Sequence, residues 1–234
     1  MQAGVAASPT PGTTGRGSQD SAPEQPLRRP AEYPRRHVRI RPVPKPEVRT
    51  LVGMTAEETP GFAVFDTAIG PCGLAWQGDT VIGTSLPEGS ADRTRAWLTQ
   101  RFPDAVESAP PAAIQPAIDG IVALLNGERP TLEDVELDLA AVPEFNRRVY
   151  EFIRGIPPGR TLTYGDIAHH LGMPGAAQAV GQAMGHNPFP IVVPCHRVLA
   201  AGGKDGGFSA RGGVATKRRM LVIEGALADE PTLF

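Results

Sequence analysis

The chain reads as a small α/β unit followed by a mainly helical one. Three observations predict this. Three short strand-like runs lie between residues 62 and 86, two segments with helical spacing follow by residue 126, and the second half carries two short helices around a Gly-Met-Pro-Gly turn. The strands are predicted at 62–67, 73–77 and 80–86, separated by Gly-Pro and Gln-Gly-Asp turns. A helix is predicted over 91–102. Another is predicted over 112–126, where Ile114, Ile118, Ile121, Val122 and Leu125 recur at helical spacing and Gly127 is the stop. Strand-like 135–139 closes this unit. Pro143 and Glu144 suit a first helical turn, and Phe145, Val149, Phe152 and Ile153 make that helix's buried stripe before Ile156-Pro157-Pro158-Gly159 ends it. Thr163 is the N-cap of a short helix over 164–171, and 176–185 forms the next. The expected organisation is an extension over 1–53, an α/β domain over 54–140, a site-bearing domain over 141–227 and a tail over 228–234.

Composition narrows the function classes. The chain has 234 residues, 41% of them hydrophobic, with a formal net charge of −2. No run of 18 apolar residues suggests a membrane span, and the start lacks the apolar core of a secretory signal. Two cysteines, Cys72 and Cys195, are too few for a disulfide framework or a cysteine-rich zinc site and suit a reducing cytoplasm. Residues 1–53 are rich in Pro, Gly, Ser and Thr and then basic, with Arg28, Arg29, Arg35, Arg36, Arg39, Arg41, Lys45 and Arg49 among prolines. They read as a dispensable extension before a natural start at Met54; the competing reading is a basic arm that adds attraction to DNA. The first compact unit is acidic and the second leans basic, so the second is the expected nucleic-acid face.

The chemistry concentrates at Pro194-Cys195-His196-Arg197. The thiolate is the reactive form of cysteine, and a neighbouring imidazole can take its proton directly or through a water. The bland alternative is a small buried hydrophobe. Cys72, beside Pro71 and without a basic neighbour, reads as structural. The helix over 176–185 is made of very small residues, which let a backbone approach a surface closely. A shallow minor groove suits it better than base reading in a major groove, and packing inside the protein is the alternative. His169 and His170 lie on different faces of their helix and do not suggest a metal site. Lys204 in the Gly-rich 201–207 lacks the strand-to-helix context of a P-loop and reads as a turn. Lys217, Arg218 and Arg219 read as phosphate contacts or as a solvated helix face.

Asn187-Pro188-Phe189-Pro190-Ile191-Val192-Val193-Pro194-Cys195-His196-Arg197-Val198 resembles the active-site signature of the O6-alkylguanine-DNA alkyltransferases. Residues 159–168 are similar to the family's tyrosine-bearing first helix, 176–184 to its recognition helix, and 217–225 to its closing helix with a terminal glutamate. The resemblance implies a ribonuclease-H-like first domain and a winged helix-turn-helix second domain. It implies a monomeric DNA repair protein that binds the minor groove of double-stranded DNA containing O6-alkylguanine. Such a protein flips the damaged nucleotide and moves its alkyl group irreversibly onto its own cysteine, with no cofactor, metal or obligate protein partner. By this resemblance Cys195 is the nucleophile, an ionised sulfur beside an imidazole–carboxylate pair. His196 takes its proton through a bridging water, and Glu224 orients the imidazole. Asn187 braces the active-site turn and Tyr164 donates to the leaving guanine. Met184, Pro190, Val198, Phe208 and Ser209 form the base pocket, with the carbonyls of Cys195 and Val198 reading the exocyclic amine. Ala176, Ala177, Gln178, Gly181 and Arg211 face DNA, and Arg197 supports the fold by pairing.

Two departures stand out. Gln178 occupies the position where the family carries an intercalating arginine, which predicts weaker DNA affinity with flipping retained. The loop Phe208-Ser209-Ala210-Arg211-Gly212-Gly213 is longer than the family's and begins with Phe in place of Tyr. Three other functions compete with alkyl transfer. They are a non-catalytic lesion-binding module, which the cysteine argues against, a multi-domain regulator, for which the zinc unit is missing, and a cysteine hydrolase.

Overall fold

A computed structural model describes residues 59–203 and 206–228. The basic extension, Lys204 and the residues from 229 onward lie outside the described residues. The chain opens with a three-stranded antiparallel meander, β1 (Gly61–Phe65), β2 (Cys72–Gln77) and β3 (Thr80–Ser85). Helix α1 (Ala91–Arg101) then returns the chain so that the two-residue β4 (Val106–Glu107) pairs in parallel with β1, giving the order β3-β2-β1-β4. Ser90 caps α1 by accepting from the Arg93 amide at 3.3 Å. Helix α2 (Gln115–Leu125) starts later than its apolar spacing suggests, because Pro116 suits only a first turn. It buries Ile118, Ile121, Leu124 and Leu125.

The predicted strand over 135–139 is not a strand. Only Leu137 bridges Val81, with the Val81 amide donating to Glu136 O at 2.9 Å and the Asp138 amide to Val81 O at 2.9 Å. Arg154 Nη2 donates to the carbonyls of Leu132, Glu133 and Val135 at 2.9, 2.6 and 2.7 Å. Of these only the Val135 carbonyl belongs to 135–139, and the guanidinium takes it at the start of the segment.

The second half begins with α3 (Glu144–Arg154), which buries Val149, Tyr150 and Ile153, while Phe145 and Phe152 are only half-buried. Next come β5 (Leu162–Thr163), α4 (Tyr164–His170) and α5 (Ala177–Gly185). Thr163 makes a reciprocal capping box: it accepts from the Asp166 amide at 3.1 Å, and its own amide donates to the Asp166 carboxylate at 2.8 Å. The 3-10 turn Cys195–Arg197 leads directly into β6 (Val198–Leu199), which pairs in parallel with β5. The chain closes with α6 (Val214–Ile223). The two-residue strands β4, β5 and β6 were not expected from the sequence.

One buried cluster joins the sheet, α2, α3, α5 and the segment around Cys195. It includes Leu74, Val81, Ile121, Val149, Ile153, Phe189 and Met220. Cys72 is fully buried in it and burial pushes its thiol up to about 12, against a weaker pull from Thr67, so this sulfur is inert at neutral pH. The edge strand β3 also grips the loop that precedes Cys195. The Thr84 amide donates to Pro188 O at 3.0 Å and the Thr84 hydroxyl to Pro190 O at 2.7 Å. Replacing Thr84 by Val keeps the shape and leaves the partly buried Pro190 carbonyl without this partner. Chemical denaturation of Thr84→Val should show a loss of about 1–3 kcal/mol with an unchanged m-value.

Candidate active site

Residues 187–194 form a turn that delivers Cys195 to the surface of the core. Asn187 braces it from both ends, its Nδ2 donating to Val193 O at 2.9 Å and its Oδ1 accepting from the Phe189 amide at 2.9 Å. The Val193 amide closes back on Phe189 O at 2.8 Å. Ile191 sits at φ 78°, the left-handed region that a β-branched residue avoids. That conformation costs on the order of 1–3 kcal/mol, and it persists because Thr84 and Asn187 overdetermine the turn while Ile191, Val192 and Val193 are buried.

Cys195 and His196 follow in one 3-10 turn. Cys195 is 8% exposed, and its neighbours His196 and Arg197 are buried. His196 Nε2 and Glu224 Oε1 lie 2.8 Å apart. Arg197 donates through Nε to Glu224 Oε2 at 2.9 Å, through Nη2 to Oε1 at 2.8 Å and through Nη1 to Ile156 O at 2.5 Å. The expected pairing role of Arg197 is thus present. Burial pushes the Glu224 carboxyl up, but the hydrogen bonds and charges of His196 and Arg197 outweigh it and hold the group down to about 2. An ionised carboxylate only accepts, so the proton of His196 sits on Nε2 and its Nδ1 presents a lone pair. That Nδ1 is buried and has no protein hydrogen-bond partner. Burial, with Arg197 and Lys217 nearby, keeps the imidazole below its usual pKa and therefore neutral.

The sulfur departs from the expectation of a resting thiolate. Burial raises the Cys195 pKa, and the Asn187 hydrogen bond and the Lys217 charge only partly offset that. The group rests as a thiol, and its proton must leave when the site engages substrate. Lys217 differs from its expected place. It is neither solvated nor a phosphate contact: it is 0% exposed, and its Nζ donates to Val198 O at 2.6 Å. The register of α6 carries the missed signal, because Lys217, Met220, Leu221 and Glu224 are spaced i, i+3, i+4, i+7 and share its buried face. The Val198 carbonyl, expected to read guanine, already accepts one hydrogen bond and keeps one lone pair for another.

Most of the remaining expected residues border the cavities at the sulfur, while Ala176 and Arg211 border neither. Tyr164 begins α4 directly after β5, and the pairing of β5 with β6 sets it beside Cys195. Burial and the nearby sulfur raise the Tyr164 pKa, so its hydroxyl stays a donor. Close backbone approach at Gly206 makes room for it: a side-chain carbon there would lie 3.2 Å from the Tyr164 hydroxyl. Gln178 and Gly181 of α5, with Tyr164, Met184, Cys195 and Phe208, line an open cavity of about 620 Å³. Ala177 and Ser209 also border it, and Ala176 caps α5. Arg211 lies against the turn before α1, its Nε 3.3 Å from where a side-chain carbon at Gly89 would stand. Pro190 lines a second cavity, together with Met184, Cys195, Phe208 and Ser209. Among the described residues no group of His, Cys, Asp or Glu is arranged to hold a metal ion, and no helix is long and apolar enough to cross a membrane.

A thiol lining an opening, a neutral imidazole held by a carboxylate, and a pair of short helices alongside make a set able to activate a sulfur nucleophile. Residues 144–226 match the family model of the 6-O-methylguanine DNA methyltransferase DNA-binding domain. A methylated-DNA–protein-cysteine methyltransferase of Mycobacterium bovis is 41% identical over 174 residues, which is 74% of this chain and 98% of that protein. The protein of that name from Methanothermobacter thermautotrophicus is 35% identical over 153 residues, 65% of this chain and 78% of that protein. Among solved structures, Mycobacterium tuberculosis OGT in complex with DNA superposes with a TM-score of 0.57 at 40% identity, covering 71% of this chain and 93% of that one. The chain belongs to the methylated-DNA–protein-cysteine methyltransferase family.

Acid should dismantle the site before the rest of the core. An unfolded chain takes up the Glu224 proton near pH 4.5, the folded chain only near pH 2, so stability falls as pH drops through that interval. The loss is about 3 kcal/mol. Glu224→Gln should remove this acid limb from a stability–pH profile, and at pH 7 it should destabilise the fold by about 3 kcal/mol or more, because Arg197 is left buried without its counter-charge.

Proposed function

We propose that the protein repairs DNA by binding double-stranded DNA, extruding O6-alkylguanine and transferring the alkyl group to Cys195 in a single turnover. The observation that carries this reading is the Cys195 thiol in one turn with His196, whose Nε2 is held by Glu224 and whose Nδ1 lone pair has no protein partner. As guanine enters, the thiol proton leaves towards Nδ1, through a bridging water. The sulfur lone pair forms the S–C bond, and the C–O6 electron pair returns to guanine. The proton taken from sulfur equals the one guanine regains at its ring nitrogen, so charge and atoms balance. Tyr164, kept protonated, hydrogen-bonds the leaving base, and Asn187 holds the turn in place. Met184, Pro190, Val198, Phe208 and Ser209 enclose the purine, with the free lone pair of Val198 O on its amine. A thioether has no ready leaving group, so each molecule acts once.

Ala176, Ala177, Gln178, Gly181 and Arg211 face the DNA in this reading, α5 lying along the minor groove with its small residues inward. Arg211, seated at Gly89, reaches phosphate only from the rim. The β5–β6 pair beside α4 and α5 supports a winged helix-turn-helix for 141–227. The meander with its parallel β4 supports a ribonuclease-H-like reading of 54–140. Such a protein works in the cytoplasm on DNA, as a monomer and without a cofactor.

Duplex DNA labelled in the methyl group on O6 of guanine tests the reading. One label per chain should move to the peptide containing Cys195, and Cys195→Ala should bind the duplex and take up none. Label left on DNA, or repeated turnover, rejects it. Gln178→Arg should tighten duplex binding and steepen the dependence of log K on log salt by up to about 0.9, read from titrations at several salt concentrations.

A further inference from the structure

Most arginines among the described residues are committed to a partner. Arg95 pairs with Asp92 and Glu107, while Arg154, Arg197 and Arg219 donate to backbone carbonyls, Arg197 also to Glu224. Arg93, Arg101 and Arg211 are exposed and have neither an acidic nor a carbonyl partner among the described residues. Arg101 lines the second cavity, about 300 Å³, together with Cys195, Leu86, Trp97 and Phe102. Arg93 and Arg211 converge at Gly89, next to Glu88, which lines the same cavity. Arg211 Nε lies 3.3 Å and Arg93 Nη1 3.8 Å from where a side-chain carbon at Gly89 would stand.

Resting on the proposed function, we infer that Arg93 and Arg101 grip DNA phosphate together with Arg211, which makes α1 a second DNA-contacting element outside the matched domain over 144–226. Arg93, Trp97 and Arg101 recur at i, i+4 and i+8, so they share one stripe of α1, while buried Thr94 and Leu98 root the helix on another side. Each end of the stripe is fixed in place. Gly83 of β3 has no side chain where one would lie 2.5 Å from the Phe102 ring, so Phe102 tucks against the strand, and the Arg101 guanidinium stands 5.2 Å from the centre of that ring. At the other end, two cations meet at Gly89 with no anion between them, and a phosphate there removes their mutual repulsion. A guanidinium matches a phosphodiester in charge and in the fork of its donors. Arg93 and Arg101 are about 12 Å apart along the helix, whereas each DNA strand carries a phosphate every ~3.4 Å of axis, so the two meet different phosphates. The nearby acids do not cancel them: Asp92 is held by Arg95, and Glu88 pairs with neither. The acidic balance of the first half therefore does not extend to this stripe.

The test titrates an unmodified duplex with the full chain at several salt concentrations. Four proteins are compared: wild type, the Arg93→Ala/Arg101→Ala double variant, its Arg93→Lys/Arg101→Lys counterpart, and Arg95→Ala. The double alanine variant should bind about tenfold or more weaker near 0.1 M salt and flatten the dependence of log K on log salt by up to about 1.8. The lysine variant should recover most of that slope, because the charge returns, and Arg95→Ala, which removes an arginine already paired with acids, should leave it unchanged. An unchanged slope in the double alanine variant overturns the inference. So does a slope that lysine does not restore, or one that Arg95→Ala flattens equally. Methyl transfer by the wild type with an unchanged slope in the double variant overturns this inference alone. A wild type that neither binds the duplex nor takes up methyl overturns the functional reading and this inference with it.

Discussion

A single buried carboxylate organises the site. Glu224 stands at the C-cap of α6 and receives hydrogen bonds from His196 and twice from Arg197. Arg197 in turn reaches Ile156, just beyond α3, so one anion ties the closing helix, the cysteine turn and the end of α3 together. Burying an ion pair is costly unless nearly every polar atom finds a partner. Here the geometry is bidentate and both carboxylate oxygens are satisfied, which keeps Glu224 ionised and thereby dictates the tautomer of His196. The helix that supplies Glu224 also supplies Lys217 two turns earlier on the same face. Its ammonium lowers the cost of forming negative charge on Cys195.

A second constraint acts on the approach to the sulfur. The backbone at Ile191 is held in a conformation its side chain disfavours, and the compensating forces are visible: Thr84 from β3 and Asn187 from within the turn. The strand that grips this turn belongs to the half of the chain with no reactive residue of its own. The same half walls the second cavity. The two halves are therefore joined at the site, through hydrogen bonds and apolar contact, and share one buried cluster.

The long elements and the cysteine turn were legible in the sequence because their signals are local. The strands near 62–86, the two helices that follow, and the Thr163 cap all appear where spacing and capping chemistry place them. Cys195, His196 and Asn187 are close in sequence, so a motif carries them. The rest was hidden for physical reasons. Two-residue strands such as β5 and β6 have no periodicity to detect. The alternating Val135, Leu137 and Leu139 look like a strand, but a distant guanidinium takes the Val135 carbonyl and only Leu137 bridges a neighbour. Lys217 was masked by the adjacent Arg218 and Arg219, which make the stretch look solvated. Only the phase of α6 reveals that one of the three cations points inward. Leu86, Trp97 and Phe102 are ordinary apolar residues on ordinary elements, and nothing in one dimension brings them near a cysteine 93 to 109 residues later.

The parallel pairing of β5 with β6 has a consequence for how such a site can change. Leu162 opposite Val198 and Thr163 opposite Leu199 weld the root of α4 to the strand leaving the cysteine. In the proposed reading, the platform that meets the nucleic acid and the sulfur that reacts thus share one plate built on these two strands. A substitution that re-aims the platform drags Tyr164 and the thiol with it. Grip and reactivity are inherited as a bundle on this plate, and the freedom to diversify lies at its margins, in the exposed face of α5 and in the side walls contributed by the other half.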